Sequence, residues 1–212
     1  MRLALSSHVA GPRDEIEDRL CSNLSRVDSL VAAYEQRISA RAGRSSVVDT
    51  DLLRAAVVFL HATLEDLVRS MLAARWLHAT SPELFDRVRF VLPGDRRPEK
   101  LGVGDLALHL RDKTAVEIVA DAVEGHLAHS NIGNIDDLVL ALRRAGIGYE
   151  FLPLHAGELY GLMQRRHWIV HRADRNERSG PGHHAARSLR LTEVRRWRAH
   201  VEAICRTIIA RM

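Results

Sequence analysis

The chain has 212 residues, of which 46% are apolar, which excludes a small fold that depends on disulfides or metals for its stability. Only 5% of the residues are aromatic, and this composition favours packed helices over a β-sandwich. Its two cysteines, Cys21 and Cys205, are more typical of a reducing compartment than of a disulfide framework. The formal net charge is +4. Since no apolar run reaches the roughly 18 residues of a membrane span or resembles a secretory signal, we expect a cytoplasmic protein without a membrane partner.

Two long helices are predicted in the first third of the chain. In the first, from about residue 14 to 41, apolar residues recur at threes and fours, the spacing of one helical face. Gly43 is expected to end it. The second is expected to open near Asp49 or Thr50, both acceptable N-caps. It continues without Gly or Pro, and its VVFL segment is apolar on all sides, so we expect this helix to be central.

Shorter elements are predicted after residue 80. Ser81 and Pro82 fit an N-cap followed by proline at the first helical position, and a loop rich in Gly and Pro follows at about 91–105. Helices are predicted at about 82–90, 112–129, 134–145 and 154–175, and from Thr192 onward. We find no internal repeat and no sustained strand alternation. The sequence therefore predicts one all-α domain, 1–212, with about six to eight helices and a partly irregular insertion around 80–150.

The net charge hides an asymmetry along the chain. Residues 1–160 carry 19 Arg and Lys against 23 Asp and Glu, whereas residues 161–212 carry 12 Arg against 4 acidic residues. A basic segment on an otherwise acidic chain indicates a polyanionic partner for that segment. A solvated arginine-rich face is the alternative interpretation.

The segment GELYGLMQRRHWIVHRADRN carries the candidate chemistry. His167 and His171 lie four residues apart, so they stack on one helical face, and Asp174 is expected to continue that line. Arg166 lies about 140° around the axis from His171, yet their long side chains can converge on one ligand. Histidine can give or take a proton near neutral pH. Arginine can hold phosphate oxygens with a bidentate fork, so this set suffices for metal-free RNA cleavage.

The bare spacing of an arginine and a histidine five positions apart is not specific. With 29 Arg and 12 His in the chain, chance predicts roughly 1.6 such pairs, and the sequence contains three. The pair Arg178 and His183 spans a Gly-Pro-Gly run, so no helix fixes its geometry. In the pair Arg195 and His200, the residue directly after the first arginine is Arg196 and not Asn, Asp or His. Only the pair at residues 166 and 171 has both a helix and that polar residue.

This pair resembles the motif of HEPN ribonucleases, in which an Arg is followed by a polar residue, three further residues and a His. RHWIVHRAD, from Arg166 to Asp174, is similar to that motif in full. LLRAAVVFLHATLEDLVRSML is similar to the early helix of the RiboL-PSP-HEPN branch. SNIGNIDDLVLALRRAGIG is similar to the segment that precedes the catalytic helix in that branch. The resemblance covers roughly residues 50–80 and 130–178.

The resemblance implies a HEPN-type helical bundle acting as a metal-independent endoribonuclease, with no cofactor. It implies Arg166 and His171 as the catalytic pair, with His167 as the polar residue between them, and it leaves open which histidine transfers the proton. Glu65 and Asp174 are expected to support the site. Around the motif, the arginines expected to contact RNA are Arg165, Arg172 and Arg175.

The same resemblance implies partners. It implies a homodimer in which two motif helices form one composite cleft for RNA, and a role as a toxin or phage-defence effector, with an antitoxin protein as a further partner. The alternatives are a non-catalytic HEPN module that binds RNA or a nucleotide, and a helical protein that binds a protein partner.

Several of these residues also have other interpretations. His167 and His171 could instead be zinc ligands, but the segment lacks the glutamate of the H-E-x-x-H helix and shows no obvious third ligand. Glu65 could simply pair within its own helix. Trp168 and Trp197 could stack on bases or pack against neighbouring helices.

Overall fold

The computed structural model describes residues 11–40, 46–76, 110–128, 130–176 and 186–212, together with 88, 104 and 107. Within them lie six α-helices: α1 (Pro12–Ser39), α2 (Val47–Arg75), α3 (Ala115–Ala128), α4 (Ile135–Arg144), α5 (Ala156–Arg172) and α6 (Leu191–Ala210). A 3-10 turn, Leu152–His155, leads directly into α5. These residues form no strand, apart from an isolated bridge between Arg175 and Ala186. The predicted all-α class with about six helices is confirmed.

The chain divides into two compact units. The first comprises Met1–Leu67 and Glu150–Met212, and the second comprises Val68–Tyr149. The second unit contains most of the excursion predicted around 80–150. Most of the helix predicted at about 82–90 and most of the Gly- and Pro-rich loop after it lie outside the described residues, as does Gly43.

In the first unit, α1 packs against α6. The buried side of α1 consists of the apolar residues predicted for it, namely Ile16, Leu20, Leu24, Val27 and Val31. Each side chain of this size contributes roughly 1.5–3 kcal/mol when fully buried. Three ion pairs flank this contact, Glu17–Arg206, Asp28–Arg198 and Glu35–Arg195. Because residue numbers rise along α1 as they fall along α6, the two helices are antiparallel.

In the second unit, the end of α2 is tied to the segments around α4. The guanidinium group of Arg69 donates to the carbonyl oxygen of Ser130 at 3.2 and 2.7 Å. Arg75 Nε donates to the carbonyl of Ala145 at 2.8 Å. Asn134 caps α4 by accepting from the backbone N–H of Asp137 at 2.9 Å, and Gly146 follows the helix at φ +67°. The helix predicted at about 134–145 is confirmed within one residue at each end.

Two helix starts differ from prediction. α2 begins at Val47, where Ser46 is the capping residue: its Oγ accepts from the N–H of Asp49 at 3.2 Å, and the Asp49 carboxylate accepts from the N–H of Ser46 at 3.0 Å. This reciprocal pair is a capping box, so Asp49 lies inside the helix. α6 begins at Leu191, with Glu193 accepting from the N–H of Arg190 at 2.8 Å, so Thr192 is not the cap.

No helix in the described parts of the chain combines the length and the apolar character that crossing a membrane requires.

Candidate functional site

One side of the motif helix α5 is buried along its first half, whereas its second half is largely uncovered apart from Arg165. Leu159, Leu162 and Met163 are buried. At Gly161 a Cβ would stand 3.3 Å from Nε1 of Trp197 on α6, so α5 and α6 approach closely there. About two turns beyond Met163 on the same side of α5, Val170 is 49% exposed.

The catalytic candidates lie on this uncovered half. Arg166 is half-buried, whereas His167 and His171 are exposed. The two imidazole rings have centroids 4.7 Å apart and planes tilted by 47°. Elsewhere in the described chain, no group hydrogen-bonds to or pairs with the side chains of these three residues. The structure thus presents one cation and two imidazoles that solvent can reach.

The helix ends abruptly after the second histidine. α5 stops at Arg172, and Ala173 and Asp174 both adopt left-handed backbone conformations, at φ 47° and 53°. The backbone N–H of Asp174 returns to the carbonyl of Trp168 at 3.0 Å. Left-handed residues other than glycine are uncommon and are held by their surroundings. The expectation that Asp174 continues the histidine line is therefore wrong, because the chain leaves the helix before reaching it.

Asp174 is instead the centre of a buried ionic cluster. Its side chain is 0% exposed, and Oδ2 accepts from Arg54 Nε at 2.7 Å and from Arg165 Nη2 at 2.8 Å. Buried carboxylates survive folding only when such partners replace their water. The cluster joins α2 to both ends of the loop that follows α5, because both guanidinium groups also donate to the carbonyl of Arg187.

Arg165 differs from its expected role as an RNA contact. It is buried, and besides Asp174 it donates to the carbonyls of Arg187 and Ser188, each at 3.0 Å. Burial lowers the pKa of this guanidinium group, and the Asp174 carboxylate opposes that change. With its donors directed into the protein, Arg165 holds the loop and is not available to phosphate.

Glu65, which was expected to support the site, has a histidine of its own helix as a neighbour. It is buried on α2, and its Oε2 lies 3.7 Å from Nδ1 of His61 one turn earlier. Among the described residues no contact joins Glu65 to Arg166. The alternative of pairing within its own helix fits this geometry.

The two remaining arginine candidates, Arg172 and Arg175, are exposed at the end of α5. Next to them, the guanidinium group of Arg187 covers the ring of Trp168 at 3.7 Å from the centroid. This cation–π contact uses the indole face, so Trp168 is engaged in packing. Trp197 is also buried.

Much of the basic excess of the last quarter of the chain is neutralised by distant acidic residues. On α6, Arg195 pairs with Glu35 at 2.6 Å, Arg198 with Asp28 at 2.9 Å and Arg206 with Glu17 at 3.4 Å. Arg196 pairs with Glu158 of α5 at 2.9 Å. The basic residues of α6 are therefore largely neutralised by acidic residues of other helices.

A second histidine pair lies at the opposite end of α5. Nδ1 of His155 and Nδ1 of His200 are 2.8 Å apart, with ring centroids 5.0 Å apart. Burial, and then the proximity of His200, lower the pKa of His155 from its ordinary 6.5. The Nδ1 atoms of these two rings therefore lie within hydrogen-bonding distance of each other.

The residue that the sequence analysis missed is Arg54. It lies among buried apolar residues of α2, such as Leu53 and Val57. A charged residue on the buried face of a helix that is apolar on all sides requires a partner, and that signal was present in the sequence. Its partner, Asp174, is 120 positions away.

Comparisons of the chain with protein-family models, with curated proteins and with solved structures found no match.

Proposed function

We propose that the chain is a metal-independent endoribonuclease of the HEPN type. The observation that carries the proposal is the uncovered half of α5, where Arg166, His167 and His171 are reachable by solvent and held by no other described group. A cation and two imidazoles without partners on a rigid helix are typical of a site that binds a phosphodiester.

The proposed reaction uses the nucleophile that RNA itself supplies. One imidazole takes the proton of the 2′-OH while the 2′ oxygen attacks phosphorus, and the other imidazole, protonated, gives its proton to the departing 5′ oxygen. The Arg166 guanidinium group holds the non-bridging oxygens, on which negative charge increases in the transition state. The products are a 2′,3′-cyclic phosphate and a 5′-OH. The chemistry is symmetric in the two histidines, and either assignment satisfies it.

We also propose that the protein acts as a homodimer through this helix. Gly157, Tyr160, Gln164, His167 and His171 follow one another at alternating spacings of three and four, which is the pattern of a helix–helix seam. Tyr160 is 61% exposed, and Leu154 in the turn before the helix is 82% exposed. Two copies of this face would bring two motif helices together around one RNA. A role as a toxin or defence effector, with an antitoxin protein, is part of the same proposal and is supported by the motif resemblance alone.

The direct test is cleavage of single-stranded RNA by wild-type protein kept in EDTA. We expect fragments whose 5′ ends accept phosphate from a polynucleotide kinase without prior dephosphorylation, and whose 3′ ends carry the cyclic phosphate. Cleavage that stops in EDTA and returns with Mg²⁺ would contradict the mechanism. RNA binding without cleavage would instead favour a non-catalytic binding module.

The exposure of Arg175 at the end of α5 predicts that its side chain contacts RNA. We expect Arg175→Ala to weaken RNA binding and to reduce the slope of log K against log salt by about 0.7, the value for one lost phosphate contact on a single strand. Arg195→Ala is the matched control, because that guanidinium group is already paired with Glu35. Equal changes in slope for both variants would show that the RNA surface is wider than the end of α5.

A further inference from the structure

The exposed histidine pair of α5 differs in geometry from the half-buried pair, His155 and His200, near the start of the helix. In His155 and His200 the ring centroids are 5.0 Å apart and the two Nδ1 atoms are 2.8 Å apart. The difference between these distances is close to the sum of the two centroid-to-nitrogen distances, so both nitrogens lie near the line that joins the centroids. The two nitrogens therefore point straight at each other, as a hydrogen bond requires. No such bond joins His167 and His171, whose rings stand side by side on consecutive turns.

Two imidazoles at this separation are close enough to bind one cation together. Zinc binds imidazole nitrogen at about 2.0–2.1 Å, and when two rings share one cation at an angle between about 90° and 110°, their centroids lie about 4.5–5.2 Å apart. The observed separation of His167 and His171 is 4.7 Å. Two histidines at positions i and i+4 of a helix are also the arrangement by which helical metal sites present their ligands.

We propose that His167 and His171 bind a divalent transition-metal ion, with Zn²⁺ as the natural candidate, and that this ion inhibits the site. No group of three or more His, Cys, Asp or Glu side chains suited to a metal occurs in the described parts of the chain, so water completes the coordination. Such a site is open and reversible, unlike a closed structural site with four protein ligands.

Neighbouring charge opposes the cation but does not prevent binding. Arg166 and Arg172 lie next to the two histidines in sequence, and Arg172 is exposed. Repulsion between exposed charges is screened over about 8 Å at physiological ionic strength, whereas the metal–nitrogen bonds are short and direct. Affinity is expected to follow the usual order for nitrogen ligands, with Cu²⁺ above Ni²⁺ and Zn²⁺.

The inhibitory part of the inference rests on the proposed function. A metal ion occupies the nitrogen lone pairs that proton transfer to and from RNA requires. We therefore expect the enzyme to be fully active in EDTA and to lose activity when Zn²⁺ binds His167 and His171.

The test is a calorimetric titration of the full chain with ZnCl₂ and with NiCl₂, after EDTA treatment and dialysis. It uses a Cys21→Ser background, because Cys21 is an exposed thiol and thiolates also bind these ions. We expect binding in that background and loss of the binding signal in both His167→Ala and His171→Ala. His155→Ala is the matched control and should bind as before. Binding that persists in both α5 variants, or absence of binding before either change, overturns the proposal.

A second measurement separates this inference from the proposed nuclease activity. The thermal midpoint of the chain should rise with added Ni²⁺, because the ion binds the folded helix and not the unfolded chain, and this readout needs no RNA. If wild-type protein cleaves RNA, Zn²⁺ should suppress cleavage over the concentrations that saturate the site, and EDTA should restore it. If it does not cleave RNA, the proposed function fails while the binding result stands by itself.

Discussion

Replacing His171 with alanine is expected to lower kcat for RNA cleavage by about 10²- to 10⁴-fold, which is the usual contribution of a general acid or base. Arg166→Ala is expected to cost about 10²- to 10³-fold, the typical effect of removing one group that stabilises transition-state charge. Arg166→Lys should restore only part of the rate, because an ammonium group keeps the charge without the planar fork. Single-turnover kinetics on a labelled RNA measures all three.

The chain contains its own matched control for this experiment. Arg195 and His200 have the same spacing on α6, but Arg195 is paired with Glu35 and His200 with His155. Arg195→Ala and His200→Ala should therefore retain cleavage. His171 is exposed and Arg166 has no partner within the described chain, so the stability of their variants should change by no more than about 0.5 kcal/mol. Loss of activity in both sets of variants would contradict the assignment of the active site to Arg166 and His171.

Mixing the two inactive proteins tests the composite cleft. If each site takes residues from both copies of a dimer, a mixture of Arg166→Ala and His171→Ala chains forms mixed dimers in which one of the two sites is intact, and activity returns. If each chain works alone, the mixture stays inactive.

Asp174→Ala is expected to destabilise the protein by about 3–5 kcal/mol, because it leaves the guanidinium groups of Arg54 and Arg165 buried without their shared carboxylate. Most single substitutions cost far less, so this is the largest stability effect that we expect in the chain. Urea denaturation followed by circular dichroism measures it, and the midpoint should fall without a change in slope.

The control for Asp174 uses the same arginine. Asp51 accepts from Arg54 Nη1 at 2.9 Å, a distance similar to that of the buried pair, but its side chain is 61% exposed. Asp51→Ala should cost less than about 1 kcal/mol, as exposed pairs do. A similar small loss in both variants would show that water reaches Asp174, and the cluster would then be a surface network.

The helices were predictable because their information is local. The apolar stripe of α1, from Ile16 to Val31, follows the helical period within one continuous segment, and the burial of these residues agrees with it. Asn134 and Gly146 likewise mark the limits of α4 through their own backbone preferences. Signals of this kind need no knowledge of what lies across the fold.

The site was predictable only in part, because its support depends on long-range pairing. The residues expected at its centre do lie on one uncovered stretch of α5. Their neighbours were harder to place: Arg165 and Arg166 are adjacent in sequence, yet one is buried and the other half-buried. The left-handed turn at Asp174 and its pairing with Arg54 join segments 120 residues apart, and no periodicity within α5 could reveal that pairing.

The antiparallel contact between α1 and α6 has a consequence for how the chain is made. Ribosomes add roughly 5–20 residues per second, so α1 emerges on the order of ten seconds before α6. Throughout that interval the part of α1 that contacts α6 lacks this partner, and exposed apolar surfaces are the ones that chaperones and proteases recognise. The unit that contains α5 is therefore completed only after translation passes Leu191.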